Sequence, residues 1–231
     1  MLKNTPVLLY VVACFLSVIA LIIDSEWLLL LTKPMIIPAL VIYYFSCEKS
    51  YFSFHLLLVL FIYFVSDALT LIKMPNLEVY NLMIDFIPYL LLARIGLMDS
   101  IRIGYQNTNF RISLLVYAAL IILMIFILQS LNKESSEYSL AIMLYGGVLA
   151  IFISSGLYNY LCKPTDFTMF ILVGACFSLI ADIVYIVNQM IYFVTTFEYI
   201  EFVFQIISYF FIVVYFVRRN VAVFKNQEIY L

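Results

Sequence analysis

Charge is what this sequence has least of. Only 11% of its 231 residues are Asp, Glu, Lys or Arg, while 66% are hydrophobic, and the mean hydropathy is +1.11. Soluble domains carry about a quarter charged and about half apolar residues, so the composition is that of a membrane protein. The formal net charge is −2 and no basic patch is present, which excludes phosphate-backbone binding and hence nucleic acid as a partner. Six glycines and six prolines are too few for low-complexity or linker-rich regions. No C-x-x-C pair occurs among Cys14, Cys47, Cys162 and Cys176, so neither a metal site nor a disulfide framework is expected. The four read as packing cysteines in or beside apolar runs. The ten-residue alternation of an outer-membrane barrel strand is absent too.

What the sequence does have is long apolar runs. About 20 largely apolar residues cross the hydrocarbon core as a helix, the form lipid requires because it cannot satisfy backbone polar groups. Eight candidate spans result: 7–23, 27–46, 52–72, 79–97, 111–129, 140–160, 166–187 and 199–217. The first follows Lys3, is long for a signal-peptide core and lacks a small-x-small cleavage site, so it reads as a retained helix. Spans four and eight carry charge, and span four also contains Pro88. The expectation is an all-α polytopic membrane protein, one transmembrane domain over residues 1–231 with eight helices.

Eight spans would put both termini on one side with Lys3, Lys49, Arg94, Arg102, Arg111, Lys163, Arg218, Arg219 and Lys225. Lys33, Lys73 and Lys133 fall on the other. Nine of the twelve basic residues thus share a face, and the positive-inside rule makes that face cytoplasmic. The stretch "RIGLMDSIRIGYQNTNFR" (94–111) then reads as a long cytoplasmic loop. The expected location is the inner (plasma) membrane of a bacterium.

In this frame four ionisable residues fall at one depth. Asp67 and Asp182 lie five residues from the outer ends of spans three and seven. Lys33 and Asp85 lie six residues past the starts of spans two and four. All sit about 7–9 Å inside the outer helix ends at 1.5 Å per residue. A charge within a span costs about 2.5–3.5 kcal/mol, so retained ones face the bundle interior or a wet cavity. A structural Lys33–Asp67 ion pair is the plain alternative to a functional site. Ser66 adjoins Asp67, Ser178 lies one turn before Asp182, and Asn188 and Gln205 lie near the same layer. Gly146, Gly147 and Gly156 in span six read as close-packing positions. His55, the only histidine, sits at the opposite end of span three and reads as interfacial. Asp67 and Asp182 also occupy the third span of each half of four, which suggests a parallel 4+4 internal repeat about an axis along the membrane normal.

The segments "LTKPMIIPAL" (31–40), "YFVSDALTLI" (63–72) and "VGACFSLIADIVYIV" (173–187), with "SYFF" (208–211), resemble the YhhN-type lysoplasmalogenase family. The resemblance puts Lys33, Asp67, Asp182 and Tyr209 on family motif positions. The chain departs from the family pattern at Ser66, where glycine is common, at span four, which has no histidine, and at Val213, where glutamine is usual. Asp85 is a candidate substitute for the missing polar group. The family implies cleavage of the vinyl ether bond of a lysoplasmalogen, releasing a fatty aldehyde and a glycerophospho-alcohol. A neutral carboxylic acid would protonate the alkene and a charged carboxylate would activate water, and two aspartates in different settings can divide these tasks. Asp182 is the expected acid. Asp67, near Lys33, is the expected charged partner, unless Lys33 holds the lipid phosphate. Ser66, Ser178 and Tyr209 would support them. The expected partner is a lysophospholipid or another membrane lipid, with no cofactor and no metal. A lipid-binding scaffold without turnover and a proton-coupled transporter remain as alternatives.

Overall fold

The structure is a computed structural model that describes residues 5–47, 53–71, 77–130, 136–191 and 193–227. Among these residues it is all helix, with no strand. The elements are α1 (Thr5–Ile22), α2 (Glu26–Thr32), α3 (Ile36–Cys47), α4 (Phe54–Thr70), α5 (Leu77–Ile103), α6 (Asn107–Ser130), α7 (Ser136–Cys162), α8 (Asp166–Met190) and α9 (Thr195–Gln227).

Helices α2 and α3 form one rod, interrupted where the sequence reads Lys33-Pro34-Met35. This stretch is a 3-10 turn. Pro34 has no N–H to give to the carbonyl four residues back, so the regular ladder fails there and the chain tightens by one turn. Pro38 follows within α3. The break matters because the lysine at its first position has a side chain that is only 13% exposed.

Among the described residues, six helices are long and apolar enough to cross a membrane: α1, the α2–α3 rod, α6, α7, α8 and α9. Helix α4 is apolar but has 17 residues, about 25 Å. Helix α5 has 27 residues and carries several charges along its length. It extends beyond the expected span, so the expected long loop at 94–111 is not one. Residues 94–103 belong to α5, and only Gly104, Tyr105 and Gln106 separate it from α6. Gly104 turns the chain with φ 95°, a conformation open to glycine without a Cβ clash. Tyr158 of α7 secures this turn, donating to the Gly104 carbonyl at 2.7 Å and accepting from the Gln106 N–H at 3.0 Å.

The core lies between α4, α5, α7, α8 and α9, and Leu92, Phe152, Ile212 and Phe216 are fully buried there. Helices α8 and α9 pack closely along their length. A Cβ on Gly174 would come within 3.3 Å of Ile212, and Phe177 stacks on Phe211 at 5.8 Å. Helices α5 and α7 also come close, since a Cβ on Gly96 would fall 2.4 Å from Ser155 Oγ. Of the span-six glycines, Gly146 and Gly156 abut Met124 and Leu172, in keeping with close packing. Gly147 does not, because a Cβ there would meet nothing within 4 Å. Helix α6 is peripheral. It packs chiefly on α7, and its apolar faces at Leu115, Ile122 and Phe126 point outward.

Candidate active site

Lys33 is turned inward by the 3-10 break and reaches α4. Its Nζ lies 3.5 Å from Asp67 Oδ1 and donates to Thr70 Oγ1 at 2.8 Å. Thr70 in turn donates to the Asp67 carbonyl at 2.7 Å, a local back-bond that holds its hydroxyl as an acceptor for the lysine. Phe202 of α9 covers the ammonium, with its ring centroid 5.7 Å away. One aromatic ring, one hydroxyl and one carboxylate thus take the place of water around this cation.

Helix α9 closes the site from the other side. Glu201, Gln205 and Tyr209 recur every four residues and so share one helix face. Gln205 Nε2 donates to Tyr209 Oη at 2.8 Å and lies 3.5 Å from Asp67 Oδ1. The Tyr209 ring packs on Tyr63 of α4, with centroids 4.6 Å apart.

Asp182 sits across the site on α8. Tyr89 of α5, the residue after Pro88, donates to its Oδ2 at 2.9 Å. Tyr145 of α7 borders it, and the Tyr89 and Tyr145 rings meet edge to face at 5.3 Å. Asp182 therefore has phenol neighbours where Asp67 has an ammonium.

Between the two aspartates lies a polar cavity of about 50 Å³, lined in part by Lys33, Ser66, Asp85, Asp182, Glu201 and Gln205. A water needs roughly 10–15 Å³, so this is room for a few waters. Lys33 is the one cation among the described lining residues, against three lining carboxylates and Asp67 beside it. One ammonium stands against four carboxylates, an excess of acid that is costly in a low-dielectric layer. Three buried oxygens at this site, Tyr63 Oη, Asp85 Oδ1 and Ser178 Oγ, have no hydrogen-bond partner. Orphaned polar atoms of this kind are costly in an apolar core, and Asp85 borders a space that water or substrate can fill.

Lys33, Ser66, Asp67, Asp85, Asp182 and Tyr209 are thus gathered in one place. Ser178 is buried one turn from Asp182. Asn188 lies elsewhere: its Oδ1 accepts the Val194 N–H at 2.7 Å and closes the α8–α9 turn. His55 is exposed in the first turn of α4, at the far end of that helix from Asp67. The sequence reading did not single out Glu201, Tyr89, Tyr145 or Thr70. Glu201 had a readable signal in its four-residue spacing from Gln205 and Tyr209. The tyrosines had none, being two among nineteen. No group of three or more His, Cys, Asp or Glu suited to a metal ion occurs among the described residues.

Comparison of the chain with protein-family models, curated proteins and solved structures found no match. The function has to be argued from the site.

Proposed function

We propose that this chain is a membrane-embedded hydrolase of the lysoplasmalogenase type, cleaving the vinyl ether bond of a single-chain ether lipid. One observation carries the reading. Two buried carboxylates meet at one polar cavity: Asp182, held by the Tyr89 phenol, lines it, and Asp67, paired with the lining Lys33 ammonium, stands beside it. The motif resemblance at Lys33, Asp67, Asp182 and Tyr209 supports it.

The chemistry follows from that asymmetry. Protonated Asp182 transfers its proton to the alkene carbon remote from the ether oxygen. The adjacent carbon becomes an oxocarbenium centre, stabilised by nearby negative charge. Asp67, kept charged by Lys33, takes a proton from a cavity water as the water's oxygen bonds to that centre. The resulting hemiacetal collapses with cleavage of the carbon–oxygen bond to glycerol, giving an aldehyde and an alcohol. The proton on Asp67 returns through the cavity to Asp182, restoring the starting state. Tyr89 and Tyr145 orient the acid, while Gln205 and Tyr209 orient the base.

The reading extends to the whole chain. Eight membrane crossings, with α4 and α5 completing the six, place both termini in the cytoplasm of a bacterium and the site near the outer leaflet. The crossings form a parallel repeat of four. Helix α4 packs on α5 as α8 packs on α9, α1 on the α2–α3 rod as α6 on α7, and α7 on α5 as α3 on α9. In this pairing Asp67 matches Asp182, and the Gln205–Tyr209 pair beside Asp67 matches the Asp85–Tyr89 pair beside Asp182. The two half-sites differ where Lys33 stands, which is what divides acid from base.

The test is aldehyde release from a lysoplasmalogen by purified protein in detergent or nanodiscs. Release that disappears in Asp67→Asn and Asp182→Asn supports the reading, and no release from any vinyl ether lysolipid rejects it. The small size of the cavity favours, as a second reading, a lipid-binding protein without turnover. That reading requires retained lipid binding with no aldehyde formed.

A further inference from the structure

Resting on this reading, we propose that an apolar slot between α6, α7 and α8 holds the hydrocarbon chain of a single-chain membrane lipid, with Met124 as its movable wall. The slot is lined by Leu120, Met124 and Ile127 of α6, Leu149 of α7, and Leu179 and Ile183 of α8. Its polar wall is Asp182 with the Tyr145 ring, and both residues also line the polar cavity. The two spaces therefore meet at the residue assigned as acid, an apolar one on one side and a wet one on the other. An amphiphile fits that junction, with its chain in the slot and its polar end in the cavity.

The surroundings narrow the occupant to hydrocarbon. Helix α6 is the least buried of the candidate spans, and it packs chiefly on α7. Its outward residues, among them Leu115, Ile122 and Phe126, are exposed and face lipid. What reaches the slot past α6 is thus an acyl or alkenyl chain from the bilayer. A slot of about 40 Å³ admits at most part of one chain before it widens, in keeping with the single-chain lipid of the proposed function. Met124 explains how the slot can widen. A Cβ on Gly146 would sit 2.7 Å from Met124 Sδ, so the thioether occupies the space that glycine leaves open. Methionine has an unbranched, readily rearranged side chain, and turning it away enlarges the slot without moving the helix backbone.

The experiment uses the full chain in nanodiscs and a saturated 1-O-alkyl lysophospholipid carrying a diazirine in its chain, which the proposed chemistry cannot cleave. Photolysis is expected to label residues 120–127 of α6 or 142–150 of α7. Gly146→Leu, which fills the slot, should lower that labelling at least fivefold. Met124→Ala removes atoms only, and should raise labelling by a probe with a bulkier phenyl-tipped chain at least twofold. Labelling confined to other surfaces, such as Val203 and Ile207 between α1 and α9, overturns the proposal, as does labelling indifferent to both variants. Slot labelling without aldehyde release from a lysoplasmalogen leaves the slot standing and removes the hydrolase reading. Aldehyde release without slot labelling removes the slot alone.

Discussion

Helices α5 and α9 contribute buried polar groups at two levels, and the two levels are built on opposite plans. At one, Arg219 clasps Asp99 through Nε and Nη2 at 2.8 and 2.7 Å, and Tyr215 donates to the same carboxylate at 2.6 Å. Arg102 stands 3.9 Å away as a half-exposed second cation. Three hydrogen bonds reach the two Asp99 oxygens, and positive charge is in excess. At the other, fourteen residues along α5 and about 21 Å away, Asp85 joins Asp67, Asp182 and Glu201 around a single lysine, with buried oxygens left unpartnered. A closed cluster whose carboxylate is fully paired with cations fastens two helices. An open one with too many carboxylates costs stability and is useful for moving protons. The first plan reads as structure and the second as chemistry, although both consist of buried aspartates with basic partners.

Substitutions at the two levels should therefore fail in different assays. The largest effect belongs to Asp182→Asn, which should cut aldehyde release by about 10²–10⁴-fold, the range for losing a general acid, while thermal unfolding moves little. If the unfolding midpoint collapses instead, the cluster around Asp182 is also a fastener and the contrast breaks. Next comes Arg219→Met, which strands a buried carboxylate and should cost roughly 3–5 kcal/mol of stability. The Asp99→Asn/Arg219→Met double variant should recover part of that loss, measured by thermal or denaturant unfolding. Lys33→Met comes third. It should lower turnover by about tenfold or more by removing the cation paired with Asp67, and destabilise less than Arg219→Met because Gln205 remains near the carboxylate. An unfolding loss equal to that of Arg219→Met would reduce Lys33–Asp67 to a structural ion pair. The smallest effect is expected from Tyr89→Phe. Loss of one hydrogen bond to Asp182 is worth about 1–1.5 kcal/mol, or roughly tenfold in turnover, with substrate binding unchanged in a KM measurement.

The comparison also shows which contacts were readable in advance. The acidic level stands out because each of Asp67, Asp85, Asp182 and Lys33 interrupts an apolar run, and counting from helix ends places them at similar depth. Asp99 and Arg219 lie in polar stretches near helix ends, where charge is unremarkable, and 120 residues separate them. Nothing local distinguishes a solvated aspartate there from one locked by an arginine. The same limit applies to Tyr89 and Tyr145, since a phenol that hydrogen-bonds a buried acid looks in sequence like any interfacial tyrosine.

Composition and run length, by themselves, determined that this is a helical membrane protein, because only a helix satisfies its own backbone in lipid. Counting from span ends put Lys33, Asp67, Asp85 and Asp182 at one depth. Only the tertiary structure decided that the break turns Lys33 toward Asp67, that α5 runs on through Ile103 to meet Arg219, and that an apolar slot ends at Asp182. These depend on how helices rotate and pack against one another. Packing is set by side-chain shape between elements distant in the chain, and local sequence carries no record of it.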